Sequence, residues 1–255
     1  MVTSRLPASR PDEVLDVLDS VAHRVVDELG QVTDWGPSGA KAGQYRSDVA
    51  ADAVAVDTLL AAGLGVLSEE TGLHHSERDV VVVVDPLDGS TNASHGLPWY
   101  ATSLCAVDGD GPLAAVVVDL VGDRWYRAGR GGGATRDDRP ISPSSVVDLG
   151  EAMVGVSGLP PRHLGWRQFR ALGASALDLC AVADGTLDGF VDCSPDAHGP
   201  WDYLGALLVC QEAGAVMTEA HGRDLVVLHH DARRTPVAGA TPSLVDALVA
   251  ARSTW

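Results

Sequence analysis

The sequence predicts a mixed α/β chain whose sheets are covered by helices, and three patterns carry that expectation. Valine-rich tracts at 79–85 ("DVVVVVD") and 113–120 ("LAAVVVDL") read as strands. Apolar residues at Val14, Leu18, Val21, Val25 and Leu29 draw a single helical stripe. The second half then alternates helical and extended patterns.

In chain order, the first helix is expected from Pro11 to Leu29, with Pro11 suited to its first turn and Gly30 to its end. The stretch "QVTDWGPSGAKAGQYRS" is a loop, because its glycines and proline forbid regular structure over most of its length. Asp48 to Ala62 is alanine-rich and helical, stopped by Gly63. "LGVLSEETG" is a short buried strand ending in Glu69 and Glu70, and the valine strand after it ends in Asp85. Hairpin-like strands follow at "ATSLCAV", "LAAVVVDL" and "DRWYRA", the first two joined by the turn "DGDG". Next come "GASALDLCAVADG" as helix, "TLDGFVD" as strand, "PWDYLGALLVCQEAG" as helix and "AVMT" as strand. A last helix starts at Thr241-Pro242, a good N-cap and first-turn pair.

Composition narrows the function. The chain has 255 residues, 45% hydrophobic, which suits one domain (1–255) of two joined halves, about 1–145 and 146–255. Its formal charge of −17 leaves no basic stripe for a nucleic-acid backbone. A small phosphorylated substrate stays open, since a bound cation inverts the local field of an acidic site. Cys105, Cys180, Cys193 and Cys210 are scattered, as in a reduced cytoplasmic protein. The opening "MVTSRLPASRPDEV" lacks the apolar core of a signal peptide, and no run reaches membrane-spanning length.

The chemistry gathers at element ends. Glu69 and Glu70 close one strand, Asp85 closes the next, Asp88 lies on the turn after it, and Asp202 sits in the first turn of a helix introduced by Pro200. Carboxylates titrate near about pH 4, so their convergence at neutral pH demands a cation. Hard oxygen ligands without interleaved histidine or cysteine point to Mg²⁺ rather than zinc. Pro86 stiffens the turn, and Gly89 lets backbone N–H groups approach an anion. An isolated D-P-x-D would usually do no more than cap a turn. Here an acidic pair precedes it and a W-D motif follows far downstream.

The segments "SEETG", "DPLDGSTN", "GASALDLC" and "PWDYLGALLVCQEAGA" strongly resemble the inositol monophosphatase family, in order and at near-family spacing, over nearly the whole chain. The resemblance implies a five-layer α-β-α-β-α sandwich, usually a homodimer, that hydrolyses phosphomonoesters with Mg²⁺ and is sensitive to lithium. Carried over by residue, it places one Mg²⁺ on Glu69, Asp85 and the Leu87 carbonyl, and a second among Asp85, Asp88 and Asp202. Glu69 and the Ser90 hydroxyl would orient the attacking water, with Asp88 beside them. The turn at Gly89, Ser90 and Thr91 would hold the phosphate. Gly173, Ala174, Ser175 and Asp202 would border the small polyol substrate. Asp192 occupies the position of an acid that lines the polyol pocket, although the extra residues in "CSPDAHGP" separate it from Trp201; a solvated strand end is the alternative. A third, looser metal region would involve Lys41, the only lysine, together with Glu70 and Asp52, with Asp48 as the alternative acid.

Other features are discounted. "GRGGGA" fits a dinucleotide fingerprint in form, but no helix opens behind it. His74-His75 and His229-His230 read as loop residues, because neighbours on a strand cannot face one ion. Trp99, Tyr100, Trp125 and Tyr126 read as packing aromatics. The basic segment Arg162 to Arg170 either greets a phosphate or a partner subunit, or is a solvated loop.

The resulting expectation is hydrolysis of inositol 1-phosphate to myo-inositol and phosphate, without a phosphoenzyme. Fructose 1,6-bisphosphate, histidinol phosphate and a 3′-phosphorylated adenosine nucleotide are the alternative substrates. An aspartyl-phosphate phosphatase would need its acids two apart, whereas Asp85 and Asp88 are three apart. A catalytically silent binding protein is the alternative from another class, though every ligand position is retained.

Overall fold

The computed structural model describes residues 10–253; the leading stretch read as lacking a signal core falls mostly outside them. Helices α1 (Pro11–Leu29) and α2 (Arg46–Ala61) form an outer layer. Beneath them lies a sheet of β1 (Gly65–Ser68), β2 (Gly72–His74), β3 (Val81–Asp88), β4 (Ala101–Asp108), β5 (Gly111–Asp119), β6 (Arg124–Gly129), β7 (Gly133–Arg136) and β8 (Arg139–Pro140). Its order is β2-β1-β3-β4-β5-β6-β7-β8, and a five-residue helix, α3 (Ser90–Ser94), follows β3. A second sheet holds β9 (Met153–Ser157), β10 (Gln168–Arg170), β11 (Gly189–Asp192), β12 (Val216–Glu219) and β13 (Pro236–Gly239), in the order β10-β9-β11-β13-β12. Helices α4 (Ser175–Ala183) and α5 (Leu204–Ala213) contact both sheets from between them, and α6 (Pro242–Arg252) covers the outer face of the second. The stack is therefore α-β-α-β-α.

Why the valines run without alternation is now plain. Val81 and Val83 pack toward α4 and α5, whereas Val82 and Val84 pack toward α1 and α2. A strand buried on both faces needs apolar side chains at every position, each burial worth about 2 kcal/mol. The helices obey the same logic. In α1 only one stripe is buried, because its other face meets water. In α5 every residue from Leu204 to Cys210 is buried, because sheets lie on both sides.

Three departures from the sequence reading matter. Strands β2, β7, β8, β9, β10 and β13 are too short or too glycine-rich to declare themselves by period. The helix expected from Pro200 is broken. Pro200–Asp202 forms a 3-10 turn, Tyr203 leaves helical geometry at φ −142°, and the α-helix begins at Leu204. The valine strand does not end at Asp85 but continues to Asp88. All four cysteines are free, and among the described residues no helix is long and apolar enough to cross a membrane.

Candidate active site

On a regular strand, Asp85 and Asp88 would point to opposite faces because side chains alternate. The pairing of β3 with β4 removes the conflict. Asp85 lies opposite Ser103 and Asp88 opposite Ala101, so β3 carries one extra residue: a bulge at Pro86-Leu87. Proline is tolerated there because a bulge needs no ladder N–H. The Thr102 hydroxyl donates to the Pro86 carbonyl at 2.9 Å, and the Leu87 N–H donates back to Asp85 Oδ1 at 3.0 Å. Both acids thus reach one point.

Asp202 arrives from the second half on its 3-10 turn, where the Gly199 N–H donates to its Oδ2 at 2.6 Å. One carboxylate oxygen from each of Asp85, Asp88 and Asp202 lies within 4.8 Å of the others. Asp88 also caps α4, accepting from the N–H of Ser175 (3.1 Å) and of Ala176 (2.7 Å). That contact ties the end of β3 to the helix layer between the sheets through one carboxylate.

The electrostatics follow from burial without a cation. Burial, then the charges of Glu69, Asp88 and Asp202, raises Asp85 well above the usual carboxylate range. Asp88 is pushed to about 7 by burial and Asp202, although the α4 N–H groups pull it back. Glu69 reaches about 9 through burial and the charges of Asp202, Glu70, Asp88 and Asp48. Burial raises Asp202 as well. These are neighbours that cannot all ionise alone.

Gly89, at φ +84°, precedes α3, and a Cβ there would stand 3.1 Å from the Ala174 Cβ and from the Trp99 carbonyl oxygen. Conformation and space both require glycine. Asp48 accepts from the Tyr45 N–H at 2.8 Å through Oδ2, and its buried Oδ1 has no hydrogen-bond partner among the described residues. Burial raises it to about 7, while Ser90 lines the same cavity. Thr91 is exposed, and its hydroxyl meets that of Tyr45 at 3.3 Å. A cavity of about 370 Å³ opens here, lined by Lys41, Gln44, Asp48, Glu69, Glu70 and Ser90, with Trp201, His230 and Arg233 opposite in sequence.

Two assignments shift. Lys41 Nζ does meet Glu70, donating to its carbonyl at 2.5 Å, but Asp52 does not join them. Asp52 is buried and accepts from the Ser68 hydroxyl, one helical turn beyond the cavity wall, and Asp48 takes the lining position. Asp52 supports the strand end rather than facing a ligand. Asp192 is neither a solvated strand end nor a free carboxylate. It is wholly buried, with Oδ2 against His198 Nδ1 at 2.9 Å and Oδ1 accepting from the Ser194 N–H at 2.8 Å. His198 Nε2 then meets the Ser175 hydroxyl at 2.7 Å.

His198 and Arg233 escape sequence reasoning altogether, and His230, read from the sequence as a loop residue, proves to line the cavity. His230 Nε2 donates to the Glu69 carbonyl at 2.9 Å and its ring lies 4.9 Å from Trp201, while its neighbour His229 faces outward. Adjacent histidines indeed diverge; one of them still belongs to the site. Arg233 sits over the Trp201 ring at 5.2 Å. The segment from Arg162 to Arg170 ends in the exposed edge strand β10 and lines no part of this cavity.

The sequence model of the inositol monophosphatase family matches residues 38–254. The chain belongs to this family. A Thermococcus kodakarensis relative named fructose-1,6-bisphosphatase/inositol-1-monophosphatase is 35% identical over 188 residues, 72% of each chain. A Mesorhizobium japonicum inositol-1-monophosphatase is 33% identical over 220 residues, covering 76% of this chain and 79% of its own. The solved structure of the extragenic suppressor protein suhB from Bartonella henselae superposes with a TM-score of 0.80 at 26% identity, over 94% of this chain and 99% of that one. Family membership makes the chain a phosphatase. Its acidic triad suits a metal: two buried carboxylates and one half-buried, all hard oxygen donors, with no lysine or arginine among the described residues bonded to any of them.

Proposed function

We propose that this phosphatase is a Mg²⁺-dependent phosphomonoesterase acting on a small polyol phosphate, with inositol 1-phosphate the foremost substrate. The observation that carries the reading is the meeting of Asp85, Asp88 and Asp202, with the charge of Glu69 beside them. Burial and mutual repulsion raise all of them there, despite the more distant pull of His198 and Arg233 on Asp202. Asp85, Asp88, Asp202, Glu69 and the Leu87 carbonyl would hold two cations, and Lys41, Glu70 and Asp48 border a looser third position. Bound Mg²⁺ would neutralise the developing phosphate charge and lower the pKa of the attacking water.

The chain's own residues supply the rest. The Ser90 hydroxyl orients the water toward phosphorus, with Glu69 in the same cavity to accept its proton. The N–H groups at Gly89 and Ser90 receive the phosphate oxygens, and Thr91 flanks them. Ser175 and the preceding Gly173-Ala174 lie against this turn and border the leaving alcohol. No side chain is needed as a covalent carrier.

The decisive experiment is phosphate release from a panel of monoesters with Mg²⁺, with and without Li⁺. Fastest release from inositol 1-phosphate, lost on adding Li⁺, is the expected result. Fastest release from fructose 1,6-bisphosphate would move the substrate to the other activity named among the relatives; no release from any ester would overturn the enzyme reading. The family resemblance further supports a cytoplasmic homodimer, checked by light scattering of the purified protein.

A further inference from the structure

Ser175, His198 and Asp192 form a continuous line of hydrogen bonds. Asp192 Oδ2 lies 2.9 Å from His198 Nδ1, and His198 Nε2 lies 2.7 Å from the Ser175 hydroxyl and 3.3 Å from that of Ser157. The order is that of a serine nucleophile, its base and an orienting acid. Nucleophilic catalysis does not fit, because the donors that would stabilise an oxyanion are spent: the N–H groups of Ser175 and Ala176 both serve Asp88.

The line instead has the construction of a clamp. Asp192 has no exposed surface; its two oxygens are taken by His198 and the Ser194 N–H, and Arg252 Nε donates to its carbonyl at 2.7 Å. An ionised carboxylate only accepts, so it fixes the proton of His198 on Nδ1 and sets the ring plane. Nε2 then gathers two hydroxyls from separate elements, the end of β9 and the start of α4. His198 is buried, whereas Ser157 and Ser175 are each half-exposed. Ser175 is also the residue whose N–H holds Asp88, so its hydroxyl stands directly beside the acidic centre.

We propose that His198, clamped by Asp192, is a positioning residue that presents the Ser175 and Ser157 hydroxyls to the alcohol portion of the ester. On this arrangement a pair of serine hydroxyls, rather than a carboxylate, selects which alcohol leaves. A hydroxyl that donates to Nε2 keeps its oxygen lone pairs free to accept from an O–H of a polyol. Sites that hydrogen-bond a substrate hydroxyl discriminate against analogues lacking it, because the protein groups are left unpaired. The inference rests on the monoesterase reading above and deepens it.

The test compares kcat and KM for two esters: the polyol phosphate that the wild type hydrolyses best, and p-nitrophenyl phosphate, whose leaving group carries no further hydroxyl. Wild type, Ser175→Ala, His198→Ala and His198→Gln are assayed with Mg²⁺, and thermal unfolding checks each fold. In Ser175→Ala and His198→Ala, the ratio of kcat/KM for the polyol ester to that for p-nitrophenyl phosphate is expected to fall about tenfold, chiefly through KM. His198→Gln, which keeps an amide oxygen as acceptor near the place of Nε2, is expected to restore most of the ratio. A ratio within about twofold of wild type in Ser175→Ala overturns the proposal, since that variant removes only a half-exposed hydroxyl and keeps the N–H to Asp88. Equal losses on both esters with no rescue by glutamine would reduce His198 to a structural role and overturn it too. Absence of wild-type turnover on every ester would instead strike the monoesterase reading.

Discussion

Glu219 and Asp85 are both buried acids carried on strands, and the protein treats them in opposite ways. Burial alone would raise Glu219, but the Arg223 guanidinium and the N–H groups of Arg223, His221 and Thr235 pull it down to about 2. Asp119 is likewise buried and receives Arg124 through Nε at 2.7 Å. Asp85, Asp88 and Asp202 have no such partner and rise instead. A buried carboxylate that brings its own cation is structural; a group that brings none is arranged for a cation from solution.

The comparison breaks most sharply at turnover. Asp85→Asn, which keeps an acceptor for the Leu87 N–H, is expected to lower kcat/KM at least about a hundredfold while leaving the circular dichroism unchanged. Arg223→Ala should do the reverse. It leaves Glu219 short of its cation, costs on the order of 2 kcal/mol of stability in denaturant titration, and keeps kcat/KM within about threefold. Equal activity losses in the two variants would dissolve the distinction.

The pH response sharpens it. Without a cation, folded-state values are about 7 for Asp88 and Asp48 and about 9 for Glu69, against about 4 for free carboxyls. Between those limits the folded chain binds more protons than the unfolded one, so stability falls as pH rises. With a chelator present, the unfolding temperature at pH 8 is expected about 5 °C below that at pH 5.5, and excess Mg²⁺ should recover the loss at pH 8. Glu219 has the opposite sign: its contribution is complete above about pH 4.5 and is lost as pH falls toward 2. A chelated protein that is more stable at pH 8 would refute the crowded-acid account.

The smallest test separates neighbouring acids on α2. Asp48→Asn is expected to lower kcat about tenfold by removing a carboxylate from the cavity wall shared with Glu69 and Ser90, whereas Asp52→Asn should mainly lower the unfolding temperature by loosening Ser68. Matching kinetic losses would restore Asp52 to the cavity wall.

Much of the layer order is legible in the sequence because burial dictates period. The stripe in α1, the unbroken apolar runs of β3 and β5 and the caps at Pro11 and Thr241 each follow from which faces meet water. The residue types of the acidic centre are legible too: oxygen donors at element ends, a proline and a glycine between them. What the sequence could not state is aim. Asp85 and Asp88 share a face only because β4 pairs across a bulge, and a bulge is a property of two strands. Asp48 rather than Asp52 reaches the cavity because Asp48 sits at the capped start of α2, whereas Asp52, one turn further along, is turned inward against Ser68. Asp192 is withdrawn from ligand because His198, in a segment with no periodic signal, folds back onto it. The sequence by itself determined which groups exist and which surfaces must be buried, since both are local chemistry. Only the tertiary structure decided which of those groups meet, because proximity between residues such as Asp88 and Ala176 is set by chain segments far apart in order.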